Sequence, residues 1–316
     1  MVTKFVQELS ASASTSDSQR ADTSVTMASR STPALKAFQT LDTSELQPSI
    51  STVLEQIEAI HKEESGQNDT TVTSSDIKDT EILLKHAKSA IKTAQDFIEQ
   101  LIQFSDDCQD NAKLSKAIKE QDSTRTKTIL QELIKGVETA VSSLDRLDAI
   151  VEKISDNSLS KVKQHSVDAQ AAKYGKGRAK YVGIGIGIAA AGGLVTSAVL
   201  GVVALGVGVG GAVLSAAGLG VGTTATVVAA KKYSKTMEKS GKLKEKYSCV
   251  SKSAIKVQEL VPEVKTVLQL MIDRLYQWSQ SEEVVKILSG HLKELKSACK
   301  IQRGLLMTTQ ERLSEL

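Results

Sequence analysis

The stretch that decides the fold is YVGIGIGIAAAGGLVTSAVLGVVALGVGVGGAVLSAAGLGVGTTATVVAA, residues 181–230, which contains no charged side chain. This uncharged run holds 13 of the chain's 20 glycines, although 24% of the whole chain is charged. One helix of fifty residues would extend about 75 Å, roughly twice the hydrocarbon thickness of a bilayer. The length therefore predicts two helical arms of about twenty residues that turn back near Gly206–Gly211.

Glycines four residues apart recur along the uncharged run. This spacing lets helix backbones approach closely. Glycine also lowers helix stability in water by about 1 kcal/mol relative to alanine, so we expect the arms to need close packing in protein or in lipid. The candidate insertion residues are Tyr181, Gly183, Gly187, Gly206, Gly210, Gly218 and Gly222.

Basic residues border the uncharged run on both sides. Positive charge at both ends favours keeping both ends on the cytosolic face of a membrane, which an even number of crossings achieves. Tyr181 and Tyr233 stand at the two borders, where an amphipathic ring suits the headgroup level. The candidate contacts to anionic lipid are Lys176, Arg178, Lys180, Lys231, Lys232 and Lys235.

The composition predicts an all-α protein. Only three prolines occur, glycine is scarce outside the uncharged run, and apolar residues recur at helical spacing. Charge is uneven, because residues 1–160 carry 17 basic and 26 acidic groups whereas residues 161–250 carry 13 and 3. A nucleic-acid binder would usually add stacking aromatics or a known module, so we expect an anionic membrane as the partner and no nucleic acid.

The order of segments predicts an elongated bundle of long amphipathic or coiled-coil helices around a central apolar, glycine-rich hairpin. Pro262 should kink a helix or mark its first turn, and Ser279 with Glu282 has the spacing of a capping box. The predicted divisions are a disordered Ser/Thr-rich tail at 1–43, amphipathic helices at 44–180, the hairpin at 181–230, and C-terminal amphipathic helices at 231–316.

Two apolar seams flank the hairpin and would pack either within the chain or between copies of it. The a/d spacing favours one apolar stripe that faces a partner helix. The first seam comprises Leu130, Leu133, Val137, Ala140, Leu144, Leu147, Val151 and Ile154, and the second comprises Val257, Val261, Val264, Leu268, Met271, Leu275 and Trp278.

Other functional classes find little support in the sequence. The N-terminus lacks the apolar core of a signal peptide, and the three cysteines are far apart, which argues against a disulfide framework. Residues 206–211 contain a formal G-x-G-x-x-G, but no acidic residue lies between Asp168 and Glu238 to complete a dinucleotide site. The four histidines have no zinc-ligand spacing. We therefore expect neither an enzyme nor a cofactor or metal.

Residues 177–187 (GRAKYVGIGIG) and 214–224 (LSAAGLGVGTT) resemble the membrane-addressing hairpin of apolipoprotein L proteins. That resemblance implies lipid binding and membrane permeabilisation. The helix order is also similar to the bundles of haemolysin E-type and tripartite enterotoxin-type α-pore-forming proteins, and to inclusion-membrane proteins of intracellular bacteria. All of these resemblances imply engagement of a membrane.

The predicted function is membrane association with insertion of the 181–230 hairpin, followed by self-association and pore formation or membrane remodelling. Both termini would stay on the cytosolic side, and a soluble pool could exist. The main alternative is a permanent two-span anchor whose coiled coils tether partners. A hairpin buried in the core of a soluble protein and a shallow insertion are further alternatives.

Overall fold

A computed structural model describes residues 33–65, 74–109, 112–191 and 222–316, and it confirms the all-α prediction because these ranges contain helices and no strand. Their order along the chain is α1 (Pro33–Gln39), α2 (Leu46–Ser65), α3 (Ser74–Gln109), α4 (Ala112–Lys119), α5 (Ser123–Ala191), α6 (Gly222–Gln280) and α7 (Val284–Ser314).

The chain divides into two compact units. Unit 1 contains the described residues up to Glu55, Leu83–Ser155 and Lys252–Leu316, and unit 2 contains those of Gln56–Ile82 and Asp156–Ser251. The helices α2, α3, α5 and α6 each contribute residues to both units. The boundaries predicted at 180/181 and 230/231 fall inside the continuous helices α5 and α6, so composition alone marks them.

Unit 1 has an apolar core built on the two predicted seams. Every residue named for both seams is buried within the single chain, which agrees with packing inside the chain. Phe38 and Phe104 meet edge to face at 5.7 Å between ring centroids. Trp278 stacks on His291 at 5.6 Å, and the Arg274 guanidinium lies 5.5 Å from the Trp278 ring centroid. Burial of large apolar and aromatic side chains is the main stabilising contribution here.

The prediction of a disordered tail to residue 43 is wrong for its last part, because Pro33–Gln39 forms α1. Leu35 and Phe38 supply enough buried apolar surface to order a seven-residue helix against α7. The Gln302 Nε2 amide also donates to the Leu41 carbonyl at 3.0 Å, just after α1. Residues 1–32 lie outside the described part of the chain.

The capping box predicted at Ser279 is also wrong, because α6 continues to Gln280. Ser279 is buried, and its hydroxyl donates to the Tyr276 carbonyl at 2.8 Å, so it serves its own helix. The turn before α7 uses Ser281 instead, whose Oγ accepts from the Glu283 N–H at 3.1 Å. Ser281, two positions after Ser279, therefore makes the side-chain hydrogen bond of this turn.

Pro262 does not mark a first turn, because it lies inside the continuous helix α6. Its side chain is exposed, and its missing N–H leaves the Gln258 carbonyl without its helical donor.

Unit 2 continues the first seam of α5 with different chemistry. At the same heptad spacing that carries Val151 and Ile154 in unit 1, α5 places Ser158, Lys161, His165, Asp168, Ala172 and Gly175. Ser158, His165 and Ala172 are buried, and the Lys161 side chain is 12% exposed. One helix therefore presents an apolar seam in unit 1 and a polar, small-residue seam in unit 2.

Candidate functional site

The helices α5 and α6 come together immediately beside the uncharged run. A Cβ added to Gly175 on α5 would stand 2.8 Å from Cε1 of Tyr233 on α6, so only glycine leaves room for the ring in this position. Gly175 lies shortly before residue 181, and Tyr233 lies shortly after residue 230. The chain thus enters and leaves the uncharged run at neighbouring points of unit 2.

Further along the same pair of helices, the interior of unit 2 contains an aromatic stack. The His165 and Tyr247 rings lie 5.6 Å apart with planes 20° from parallel, and both are buried. The His165 Nδ1 atom is 3.9 Å from Oδ2 of Asp168, one turn along α5. Since residue 165 faces 247 and residue 175 faces 233, α5 and α6 run antiparallel here.

Ion pairs and a buried carboxylate join α2 and α3 to this pair of helices. Lys246 Nζ lies 2.5 Å from Glu63 Oε2, and Lys161 Nζ lies 2.8 Å from Asp79 Oδ2. Glu64 is buried and accepts a hydrogen bond from the fully buried Thr80 hydroxyl. Polar contacts therefore connect all four helical segments of unit 2.

The predicted insertion residues fall partly within the described chain. Tyr181, Gly183 and Gly187 belong to the last turns of α5, and Gly222 is the first residue of α6. Gly206, Gly210 and Gly218 lie outside the described residues. The two ends of the uncharged run therefore continue the helices of unit 2 without a break in the backbone.

The predicted lipid contacts lie on the same two helices. Lys176, Arg178 and Lys180 belong to α5, and Lys231, Lys232 and Lys235 belong to α6. Lys231 and Lys235 are exposed, as is Lys173 one turn before the predicted set. Basic side chains thus reach solvent next to the contact between Gly175 and Tyr233.

Sequence reasoning missed three features of this site: Gly175, the stack of His165 on Tyr247, and the buried pair of Glu64 and Thr80. The heptad count could have placed His165 and Gly175 on the inner face of α5, because it continues unchanged from Ile154 to Gly175, but it does not give their partners on α6. Apolar residues stop marking it after Ile154, so a search for apolar periodicity ends there. The 3-4 spacing of Ile57 and Ile60 also reaches Glu64 on α2, but it does not show that Thr80 of α3 donates to the carboxylate.

Among the residues in the four described ranges, no helix has an apolar stretch long enough to cross a bilayer. In the same part of the chain, no three histidine, cysteine or acidic side chains come close enough together to hold a metal ion.

Comparison with known proteins gives two structural likenesses. No family model matches the chain, and no curated protein matches it. The first solved structure is the soluble AhlC triple head mutant of the tripartite α-pore-forming toxin of Aeromonas hydrophila, at 10% identity and a TM-score of 0.39, covering 86% of this chain and 98% of AhlC. The second is the SmhB pore of the tripartite α-pore-forming toxin of Serratia marcescens, at 13% identity and a TM-score of 0.29, covering 86% of this chain and 96% of SmhB. Both scores are below 0.5, so neither likeness carries an argument about this chain, and the resemblance to apolipoprotein L proteins stays a prediction.

Proposed function

We propose that this protein is a membrane-associating helical-bundle protein that inserts residues 181–230 into lipid as a hairpin and then permeabilises or remodels the bilayer. The observation that carries the proposal is the close approach of Gly175 and Tyr233. It brings together the two helices whose ends enter the uncharged run, as a hairpin requires.

Charge supports an anionic membrane as the partner. Lys173, Lys231 and Lys235 are exposed beside the two entry points, and each lysine near an anionic surface adds about 1 kcal/mol of attraction at moderate salt. Recruitment should therefore be strong at low salt and weaken as salt screens it.

The polar contacts within unit 2 support a conformational change during insertion. Partly exposed ion pairs such as Lys246 with Glu63 exchange their partner for water at low cost. An apolar core cannot do so, because its contacts have no substitute in water. We infer that the helices of unit 2 separate from one another during insertion, whereas unit 1 keeps its packing.

Self-association is the last step of the proposal. The two apolar seams are buried within one chain, so they are closed to a second copy while the units keep their present packing. We infer that several copies assemble after insertion, through surfaces that become exposed when the helices of unit 2 separate from one another.

Vesicle flotation combined with dye release tests this function. We expect the protein to float with vesicles of phosphatidylglycerol and phosphatidylcholine and to release an encapsulated dye. The double variant Lys231→Glu/Lys235→Glu should bind at least about tenfold more weakly at low salt. The matched control is Lys252→Glu/Lys256→Glu, which reverses two exposed lysines at the same spacing on the same helix but in unit 1.

Two outcomes would contradict the proposal. If the wild-type protein neither floats with anionic vesicles nor releases their dye, the proposed membrane function is wrong altogether. A protein that is found only in membranes and resists a carbonate wash, with no folded soluble pool, would favour the permanent two-span anchor. Equal binding of both charge-reversal variants would remove only the role of Lys231 and Lys235.

A further inference from the structure

The outer face of α5 in unit 2 carries large apolar side chains in water. Val167 is 64% exposed and Tyr174 is 75% exposed, seven residues apart, and Leu159 is 39% exposed on the same side of the helix. The opposite side of this segment buries Ser158, His165 and Ala172. The usual amphipathic arrangement, with large apolar residues inside, is thus reversed over these turns.

The charge on the outer face changes at the same place. Over the preceding turns the exposed charges are mixed, because Asp145, Glu152 and Asp156 alternate with Arg146 and Lys153. From residue 159 to residue 174, the exposed charges on α5 are Lys163 and Lys173, and Asp168 is half-buried beside His165. The outer face therefore becomes apolar and basic as α5 approaches the uncharged run.

We propose that the face of α5 formed by Leu159, Lys163, Val167 and Tyr174 docks on the headgroup layer of an anionic bilayer before the hairpin inserts. This proposal rests on the membrane function proposed above and names the surface that makes first contact. Apolar side chains with a tyrosine, flanked by lysines, match a boundary that is anionic at the headgroups and apolar just below them.

A second copy of the chain fits this face less well. Residues 161–250 carry 13 basic and 3 acidic groups, so two copies that met through this face would bring like charge together. An anionic lipid surface supplies the opposite charge over the whole area of contact. Charge complementarity therefore selects the membrane.

The test is vesicle binding by the double variant Val167→Ser/Tyr174→Ser. We expect its partition onto vesicles of phosphatidylglycerol and phosphatidylcholine to fall about tenfold, because two apolar contacts are lost while every charge is kept. The matched control is Ile301→Ser/Leu305→Ser, which removes two exposed apolar side chains from α7 in unit 1. That control should bind like the wild type.

A second measurement locates the contact directly. An environment-sensitive dye on Val167→Cys, in a Cys249→Ser background, should shift to the blue with vesicles and be quenched by lipids brominated high in the acyl chain. The same dye on Ile301→Cys should do neither. This readout does not depend on the stability of the serine variant.

The outcomes separate this inference from the function on which it rests. If the wild type fails to bind vesicles, the proposed function fails. If the wild type binds and both serine variants bind equally well, with no dye shift at position 167, only the docking face is wrong. If Val167→Ser/Tyr174→Ser dissociates an oligomer that exists without lipid, the face serves a second copy and the proposal is overturned.

Discussion

The helix α5 carries one heptad register through two different interiors, and the difference between them separates the roles of the two units. In unit 1 the register buries residues such as Leu144 and Val151, whereas in unit 2 it buries Ser158 and His165. Apolar burial stabilises by about 25 cal/mol per Å², whereas a polar contact replaces hydrogen bonds to water with little net gain. Along α5, side-chain burial therefore stabilises unit 1 more than unit 2, and we expect unit 2 to open more easily.

The largest expected effect comes from breaking the interior of unit 1. Leu268→Ala removes a fully buried side chain on α6 and should lower the free energy of unfolding by about 3 kcal/mol. Denaturant unfolding followed by fluorescence of Trp278, the sole tryptophan, which lies in unit 1, measures it. An unchanged midpoint would mean that unit 1 is not the stable unit, and the exposed Leu305→Ala serves as control.

The buried carboxylate of unit 2 gives the next largest effect. Thr80→Val removes the hydroxyl that donates to Glu64 and should destabilise unit 2 by about 2 kcal/mol. The half-buried thiol of Cys249 in unit 2 should then react faster with a thiol reagent. Cys108 in unit 1 should stay protected, because burial raises the pKa of its thiol well above the usual value and the neighbouring Cys299 raises it further.

Thr126→Val is the control for this prediction. Thr126 is also fully buried, but its hydroxyl donates to the Asp122 carbonyl one turn away, at 2.7 Å. Its loss should leave labelling of Cys249 unchanged. Equal acceleration by both valine variants would mean that the two units open together.

Two glycines on α5 give the third comparison. Gly136→Ala in unit 1 meets no atom within 4 Å and should stabilise the protein by about 1 kcal/mol through helix propensity. Gly175→Ala should lack this gain, because its Cβ would lie 2.8 Å from the Tyr233 ring. Thermal unfolding measures both changes, and hydrogen exchange of unit 2 measures the effect of Gly175→Ala.

Adding Tyr233→Ala to Gly175→Ala should restore the stabilisation that alanine brings through helix propensity, because the ring that blocks the Cβ is gone. Equal stabilisation by Gly136→Ala and Gly175→Ala, without the second substitution, would show that α5 and α6 do not approach closely at the base of the run.

The smallest effect distinguishes two ion pairs. The side chains of Lys246 and Glu63 in unit 2 are 29% and 23% exposed, whereas those of Lys265 and Asp145 in unit 1 are 47% and 51% exposed. Lys246→Met should cost about 1 kcal/mol, and Lys265→Met should cost about 0.3 kcal/mol or less. Urea titrations at low and high salt measure both, and a larger loss for Lys265→Met would reverse the comparison.

Sequence alone predicted the part of the fold that apolar periodicity encodes. Residues such as Leu130 and Leu268 indicate a buried stripe because their neighbours on the other faces of the helix are polar. Helix α1 was missed because its few apolar residues follow a long Ser/Thr-rich segment, and what orders it is a distant contact, such as that of Phe38 with Phe104.

Of the candidate site, sequence alone predicted the basic residues and the uncharged run but not the buried contacts. The basic residues and the uncharged run are compositional, so counting finds them. The role of Gly175 depends on which side chain of α6 faces it, and the burial of Glu64 depends on the return of α3 past α2. These facts belong to tertiary packing, where helix propensity and periodicity carry no information.

The contact between Gly175 and Tyr233 has a kinetic consequence for the proposed insertion. While it lasts, the chain enters and leaves the uncharged run at neighbouring points, so entry of one proposed arm into lipid would raise the effective concentration of the other at the same place. The second arm would then insert in an intramolecular step whose rate is independent of protein concentration. Glycine at position 175 would in this way make two weakly hydrophobic arms act as one cooperative unit.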